Sequence, residues 1–273
     1  MIDTHAHLHL PDFDGDRDRV IARAFALGLD ALIEINISAG GWPAVKRLAE
    51  ADARIHATLG IHPHEAGPEA LRALAGLEGE LASERVVAVG ETGLDAARGR
   101  APREEQVALC AAHIGLAREA RLPLVLHCRE AFPELLRLLD LEGRGAVRGV
   151  FHCFSGGAGE AREIAARGFH MGFGGGVTYA PERWRPVLAA VPAGRLLLET
   201  DAPFLRPAPD RRGRNEPAFL FRTAAAIARL LGLSEEETEA RADANAADLF
   251  GPSVIRRSPP APADSPDGGA ASP

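Results

Sequence analysis

The sequence lacks the features that mark secreted and membrane proteins. Its three cysteines, Cys110, Cys128 and Cys153, form no CxxC pair and no disulfide framework. This usage is typical of a reducing compartment, and we interpret the three as packing residues. No run of roughly 18 apolar residues could span a membrane, and no basic segment followed by an apolar stretch opens the chain as in a secretory signal. We therefore expect a cytoplasmic protein with no membrane association.

Positive charge is also scarce. The chain has 31 basic and 38 acidic residues, a formal net charge of -7, and an isoelectric point near 5.8. A protein that coats nucleic acid nonspecifically needs many cationic contacts to phosphates, so the composition argues against that class. It remains compatible with a local basic patch.

The remaining composition is ordinary for a globular protein: 273 residues, 46% of them hydrophobic, enough for one catalytic-size domain with a full core. Short apolar runs rich in branched residues alternate with amphipathic stretches, a pattern typical of βα units around a parallel sheet. Eight runs are predicted to be strands: "MIDTHAHL", "ALIEINIS", "IHATLGIHP", "VVAVGETGLD", "LPLVLHCR", "GVFHCFSGG", "FHMGFGGGV" and "LLLETDAP". Eight units predict an α/β fold, a (β/α)8 TIM barrel over residues 1–250.

Helix signals between the runs agree with this fold. The stretches "DRDRVIARAFALG", "REEQVALCAAHIGLAREA" and "GEAREIAARG" have helical apolar spacing, and Ser234 with Glu237 three residues later predicts the start of a closing helix. A doubly wound sheet is the rival, but a GxGxxG motif after the first strand is absent. Segment 251–273, rich in Pro, Ala, Ser and Gly, is predicted to be a disordered tail.

The chemistry is predicted at the ends of these strands. Residues two apart on a strand face the same side, so His5 and His7 of "DTHAHL" point together toward the mouth where TIM barrels build active sites. By the same rule Glu91, His127, His152 and Asp201 close strands four, five, six and eight. One such histidine alone is better read as a core residue or cap. Six convergent residues predict a divalent metal site.

Four nearby candidates, one histidine, two cysteines and the single lysine, are not expected to bind the metal. His9 lies beyond the predicted end of its strand and is left out as a ligand. Cys128 and Cys153 each follow a predicted ligand by one residue and are expected to face the helices. Lys46, the single lysine, lies in the predicted helix before strand three, so a carboxylated lysine cannot bridge two ions here.

Six motifs in order, "DTHAHL", "LGIHPH", "GETGLD", "HCREA", "FHCFSG" and "LLLETDAP", followed by "RNEP" and "NAADLF", make the chain resemble the TatD family of metal-dependent hydrolases, reported as deoxyribonucleases. The resemblance implies that His5, His7, Glu91 and Asp201 hold one ion. It further implies that Glu91 bridges to a second ion held by His127 and His152. His62, His64 and Arg129 would then look toward the substrate.

A two-metal mechanism agrees with that ligand set. Two divalent ions, Mg, Mn or Zn, lower the pKa of a water and neutralise the leaving alkoxide of a phosphodiester. Asp201 is expected to accept the water proton. Asp3 is expected to hydrogen-bond a ligand imidazole. Glu199 is expected to support the site, with a buried strut as the equal alternative.

Substrate contacts are predicted around the same mouth. "FLRPAPDRRGRNEP" concentrates four arginines after strand eight, Arg206, Arg211, Arg212 and Arg214, either a solvated loop or a nucleic-acid path. The glycines at 174–176 predict either a phosphate cup or a tight turn.

One departure from the family concerns aromatic residues. Where the family commonly has an aromatic after "GLD", this chain has Ala96 and Ala97, and Tyr179 is its single tyrosine. Stacking on aromatic rings is a principal handle on single strands. Four other aromatic residues are candidate substitutes or ordinary packing residues: Phe132, Phe154, Trp184 and Phe204.

Three functions remain open. The leading hypothesis is a metal-dependent phosphodiesterase that removes nucleotides from single-stranded DNA, with RNA a close neighbour, and with no stable protein partner. The second keeps the metals but hydrolyses an ester or amide of a small molecule or aminoacyl-tRNA, because fold does not fix function. The third is a noncatalytic binding protein, which the six intact ligand positions disfavour.

Overall fold

Eight parallel strands form one sheet in which each strand pairs with the next along the chain. The computed structural model describes residues 1–255. The strands are β1 (Ile2–Ala6), β2 (Ala31–Ile35), β3 (Ile55–Leu59), β4 (Val86–Asp95), β5 (Leu124–Arg129), β6 (Gly149–Phe151), β7 (His170–Phe173) and β8 (Leu196–Leu198). The sheet closes where Ala6 bridges Ala202, just after β8. All eight apolar runs are strands, and the predicted (β/α)8 barrel is confirmed.

Helices follow the strands and cover the outside of the barrel. They are α1 (Arg17–Ala26), α2 (Trp42–Ala51), α3 (Pro68–Leu74), α4 (Arg103–Ala120), α5 (Phe132–Gly143), α6 (Ala158–Ala166), α7 (Pro181–Ala190), α8 (Leu220–Leu231) and α9 (Glu235–Phe250). Ser234 caps α9 by accepting a hydrogen bond from the Glu237 amide at 3.0 Å, at the position predicted for the closing helix. Lys46 lies on α2, before β3, as expected.

Two clusters of buried apolar side chains stabilise this arrangement. Leu32 of β2 belongs to the larger cluster with residues of the surrounding helices, whereas its neighbour Ile33 belongs to a smaller one made mostly of strand residues. Leu249 and Phe250 of α9 join the smaller cluster. The closing helix therefore packs on the barrel interior, and the charged and imidazole groups gather at the opposite end.

The first residues of the segment predicted to be a disordered tail, 252–255, have regular structure. Pro252–Ile255 form a short 3-10 helix, and Val254 is fully buried in the smaller cluster. The predicted tail beyond 255 lies outside the described residues. No single helix in residues 1–255 is long and apolar enough to span a membrane. The pair Pro217–Leu231 and Glu235–Phe250, bent by 108°, meets that test only by joint length and composition.

A buried histidine connects α4 to the loop after β3. His113 is fully buried on α4; its Nδ1 donates to the Leu109 carbonyl at 2.8 Å, and its Nε2 accepts from the Ile61 amide at 3.0 Å. This bonding pattern requires the neutral ring. Burial lowers the pKa of His113 from 6.5 to about 4. The histidine thus fixes the backbone immediately before His62.

We expect His113 to make the protein less stable in mild acid. Because the unfolded chain takes up this proton near pH 6.5 and the folded one only near pH 4, stability falls as the pH drops through that window. The loss is about 2 kcal/mol between pH 7.5 and pH 5. His113→Gln removes this titration, so urea unfolding at the two pH values should show a smaller loss in the variant. Equal losses in both proteins would contradict the assignment.

Candidate active site

The carboxylate of Glu91 lies at the centre of the candidate site. Glu91 is on β4 and only 2% exposed. Its Oε1 lies 2.8 Å from His152 Nε2, 3.2 Å from His127 Nδ1 and 3.4 Å from His62 Nε2. Its Oε2 lies 3.5 Å from His5 Nε2 and 3.9 Å from His7 Nε2. A single carboxylate thus joins two groups of imidazoles.

Asp201 completes the group around His5 and His7. Its Oδ1 lies 3.4 Å from His7 Nε2 and 3.7 Å from His5 Nε2. Backbone bonds fix this approach, because the Asp201 amide donates to the His5 carbonyl and the His7 amide to the Ala202 carbonyl, each at 2.8 Å. Closure of the barrel between β1 and the segment after β8 therefore assembles this half of the site.

Two glycines allow the other half to form. An added Cβ on Gly60 would lie 2.5 Å from the Gly90 Cα, so the backbone around Gly60, just after β3, approaches β4 more closely than side chains permit. Gly90 precedes Glu91, and Gly60 lies two residues before His62. A side chain at Gly60 would push the segment that carries His62 away from β4, whereas one at Gly90 would lie 2.5 Å from the Val125 carbonyl oxygen of β5.

The donor atoms fit divalent cations. Three groups have all their donor atoms within 4.8 Å of one another: His5, His152 and Asp201; His5, His7 and Glu91; and His62, Glu91 and His127. The Nε2 atoms of His5 and His7 lie 3.1 Å apart, and His5 Nδ1 is buried with no hydrogen-bond partner in the described chain. Imidazole nitrogen combined with carboxylate oxygen suits Zn, Mn and Mg to different degrees.

The electrostatics keep the central carboxylates ionised. Burial alone would raise the pKa of Glu91, but the imidazoles of His152, His62 and His127 hold it well below its usual range. Burial opposes ionisation of Asp201 as well, yet hydrogen bonding from His7 lowers its pKa. Burial alone would lower the pKa of His152, but Glu91 raises it to about 10. Two anionic side chains therefore face the point where the imidazoles converge.

Asp95 orients two of the imidazoles and was missed at the sequence level. Its Oδ2 accepts from His64 Nε2 at 2.8 Å and from His127 Nε2 at 3.1 Å, so the Nδ1 of His127 faces Glu91. Burial alone would raise the pKa of Asp95, but these hydrogen bonds lower it strongly. The available signal was its place four residues after Glu91 on one strand, a spacing that puts both on the same face.

The two predicted supporting carboxylates are buried, and Asp3 has a different partner from the one expected. Asp3 accepts from Thr200 Oγ1 at 2.6 Å and from the Thr200 and His5 amides, rather than from a ligand imidazole. Within β1, the register against β2 shifts between Asp3 and Ala6. Glu199 accepts from the Cys153 amide at 2.5 Å and lies 3.8 Å from His152 Nδ1.

Strand ends are less regular than the alternation rule assumes. Glu91 lies inside β4 instead of closing it, while His152 follows β6 and Asp201 lies three residues after β8. Cys153, two residues after the end of β6, has a left-handed backbone with φ 45°. Burial and the carboxylates of Asp201 and Glu199 raise the pKa of its thiol well above the usual value. Cys153 is therefore close to the site, in a form poorly suited to nucleophilic attack.

The residues predicted to face the substrate are placed unevenly. His62 lies within the central cluster beside Glu91, and His64 is held by Asp95. Arg129 ends β5 with an exposed side chain. Arg206 is held inside its own loop, with Nη2 3.1 Å from Asp210 and its guanidinium over the Phe219 ring.

The basic stretch after β8 contributes fewer free charges than its sequence indicates. Arg214 is paired with Asp16 at 2.7 Å and Glu216 at 3.0 Å. Arg211 and Arg212 are exposed, and the Arg211 guanidinium lies 4.7 Å from the centre of the Tyr179 ring. The basic surface at the mouth is thus confined to a few side chains.

The structure also distinguishes between the alternatives given for the glycines at 174–176 and for the candidate stacking aromatics. An added Cβ on Gly175 would lie 2.1 Å from the Leu205 carbonyl oxygen, so this 3-10 segment packs as a tight turn. Phe132, Phe154 and Trp184 are buried packing residues. Phe204 is 51% exposed, with its ring centre 6.0 Å from that of His7. Phe204 is the candidate that offers a ring surface beside the cluster.

A parallel eight-stranded barrel that gathers imidazoles and carboxylates at the carboxyl ends of its strands has the architecture of metal-dependent barrel hydrolases. The family model described as TatD related DNase matches residues 2–251. The chain belongs to the TatD family and is a metal-dependent hydrolase.

Individual relatives are similar to this protein along nearly the whole chain. It is 36% identical over 251 residues to "Uncharacterized metal-dependent hydrolase YabD" of Bacillus subtilis, covering 92% of this chain and 98% of that one. It is 38% identical over 259 residues to "3'-5' ssDNA/RNA exonuclease TatD" of Cronobacter turicensis, covering 92% and 97%. Among solved structures, YjjV, a TatD homolog from Escherichia coli, superimposes with a TM-score of 0.85 at 31% identity, covering 92% and 97%.

We expect Asp95→Asn to weaken metal binding about 10- to 100-fold, because the amide cannot orient both His64 and His127 as the carboxylate does. Metal titration of stripped protein, followed by calorimetry, measures the affinity. Glu69→Gln, a substitution of a 96% exposed side chain, is the matched control and should bind as the wild type does. Unchanged affinity in Asp95→Asn would contradict the role given to Asp95.

Proposed function

We propose that the protein is a two-metal phosphodiesterase that removes nucleotides from the 3' end of single-stranded DNA or RNA. The observation that supports this most directly is Glu91, which directs one oxygen to each of two imidazole groups. We assign one ion to His5, His7, Glu91 and Asp201, and a second to Glu91, His127 and His152. His62 would be a further possible ligand of the second ion, because its donor atom lies within 4.8 Å of those of Glu91 and His127.

The side chains around this centre have distinct tasks. Divalent cations held there supply Lewis acidity toward a phosphodiester and lower the pKa of water. Asp201 is kept ionised in the free protein, mainly by hydrogen bonding from His7 that overcomes its burial, so that its carboxylate would be able to accept a proton from the attacking water. Asp95 holds His64 and His127 in fixed orientations.

The surface near the centre suits a single strand. Phe204 offers an exposed ring next to His7, and base stacking on such rings tolerates any sequence. Arg129 offers a planar guanidinium to a phosphate. A relative named "3'-5' ssDNA/RNA exonuclease TatD" supports the same substrate and the same direction of degradation, from the 3' end toward the 5' end.

The experiment that tests the proposal follows release of mononucleotides from single-stranded DNA labelled near its 5' end. Stripped protein should be inactive, and Mg, Mn or Zn should restore a stepwise ladder of shortened strands. Glu91→Gln should lose at least about a hundredfold in rate, because it removes the charge that joins both ion sites. Glu69→Gln should keep full activity.

The same preparation is assayed on a nitrophenyl ester. Metal-dependent ester hydrolysis with strands of DNA and RNA left intact would overturn the nuclease proposal and select an ester or amide hydrolase. Full nuclease activity of Glu91→Gln would overturn the assignment of the metal centre. These two failures are distinguishable because the ester assay still reports whether the centre functions.

We expect Phe204→Ala to raise KM for an oligonucleotide about tenfold while changing kcat little, because it removes a stacking surface without touching the cluster. Phe204→Trp, which keeps an aromatic ring, should restore KM to near the wild-type value. Steady-state kinetics on a fluorescent single strand measure both constants. Equal KM values in wild type and Phe204→Ala would remove Phe204 from substrate binding.

A further inference from the structure

A cavity of about 520 Å³ opens beside the proposed active site. It lies between the loop after β4 and the first turns of α4 and α5. Asp95 forms part of its wall, and the same carboxylate accepts hydrogen bonds from His64 and His127. Its volume falls within the range of small-molecule sites. Asp95 therefore belongs both to the lining of this cavity and to the hydrogen bonding of the imidazole cluster.

Small apolar side chains make most of the remaining wall. Ala101 and Ala131 are buried at its floor, whereas Ala96 and Pro133 are exposed at its rim. No aromatic ring is part of the lining formed by the described residues. Because small alanines follow Asp95, the entrance of the cavity is open. The small apolar side chains around it form surfaces on which a flat ring can lie.

The charged groups of the lining select against an anion. Three carboxylates, Asp95, Glu130 and Glu134, face one guanidinium, Arg103, whose Nη2 is already 2.6 Å from Glu134. A phosphate would meet net repulsion here. A neutral group that carries N–H donors would instead find carboxylate acceptors.

The polar atoms left for a ligand can be narrowed further. The Gln106 amide is fully used, since its Oε1 accepts from the Asp95 amide and its Nε2 donates to the Asp95 and Ala101 carbonyls. Asp95 is engaged by the two imidazoles. Glu130 lies exposed at the rim, one residue after Arg129, and provides the acceptor within reach of solvent.

We propose that this cavity is a nucleobase subsite, which takes the base of a nucleotide next to the scissile phosphate. The ring lies against the alanine wall, and an exocyclic amino group donates to the Glu130 carboxylate. This inference rests on the proposed nuclease function and deepens it. Cytosine and adenine, which carry an amino group, are preferred over thymine and uracil, which do not.

Oligonucleotides with one abasic nucleotide test the subsite in the metal-loaded enzyme. Wild type should show an about tenfold higher KM when the abasic unit is at the 3'-terminal or the penultimate position. Ala101→Leu, which fills the floor, should raise KM about tenfold on the intact strand and show no further loss on the abasic one. Ala96→Leu, at the exposed rim, repeats the test without changing a buried residue. The same abasic penalty in wild type and both variants would overturn the subsite.

Nucleosides provide a readout that needs no cleavage. Deoxycytidine and thymidine are titrated into the full, Mg-loaded protein and followed by NMR shifts. Deoxycytidine should bind more tightly, and Glu130→Gln should weaken its binding several-fold without affecting thymidine. Nucleoside binding lost in Ala101→Leu, in a protein that cleaves no strand, would support the cavity and overturn only the nuclease proposal. Strand cleavage with no nucleoside binding and no effect of Ala101→Leu would overturn only the subsite.

Discussion

The buried Glu91 carboxylate within a ring of imidazoles is the interaction on which the rest of the site depends. Removing a carboxylate from water costs several kcal/mol unless opposite charge compensates it, and Glu91 is only 2% exposed. Five imidazole nitrogens lie within 4 Å of its oxygens. In the free protein the compensation comes from protons on imidazoles such as His152, whose pKa Glu91 raises to about 10, whereas burial lowers the pKa of His5 to about 3 and keeps that ring neutral. Cation binding at such a cluster releases those protons, so metal affinity and pH are coupled.

The strands around this cluster differ in length. The pairing of β4 with β5 continues through Asp95 and Arg129, whereas β6 and β8 are each only three residues long. The long strand β4 provides Asp95, which accepts hydrogen bonds from the Nε2 atoms of His64 and His127 and so fixes both imidazoles. After the short strand β8, irregular backbone presents Asp201, whose φ is 57°. Rigid strands therefore orient one group of donors, and barrel closure positions the other.

Much of this could be predicted from the sequence. Each strand was visible as a short apolar run, and the candidate ligands were visible as histidines and carboxylates within or just after such runs. Two-residue alternation holds only inside a regular strand, and β6 ends at Phe151, so the rule cannot fix the direction of the Cys153 side chain. The same rule predicts a ligand imidazole as the partner of Asp3, whereas the Asp3 carboxylate accepts hydrogen bonds from Thr200 and from the His5 amide.

Other contacts depend on tertiary structure that no local pattern encodes. Glu34, on β2, accepts hydrogen bonds from the amides of Leu8 and His9 and from the His9 ring. A single glutamate in an apolar run gives no sign of such partners. The role of Asp95 likewise follows from His64 and His127, which lie 31 and 32 residues away in the chain.

Charge at the mouth limits how an anionic strand is attracted. The protein has a formal net charge of -7, and Arg214 is neutralised by Asp16 and Glu216. Long-range steering by the protein's own field therefore works against a polyanion. For the proposed nuclease function, short-range contacts would have to dominate: cations held at the imidazole cluster would meet the phosphate, and apolar or aromatic surfaces such as Phe204 would meet the bases. Such contacts would favour the proposed single-stranded substrate, because a single strand exposes unstacked bases and a duplex hides them.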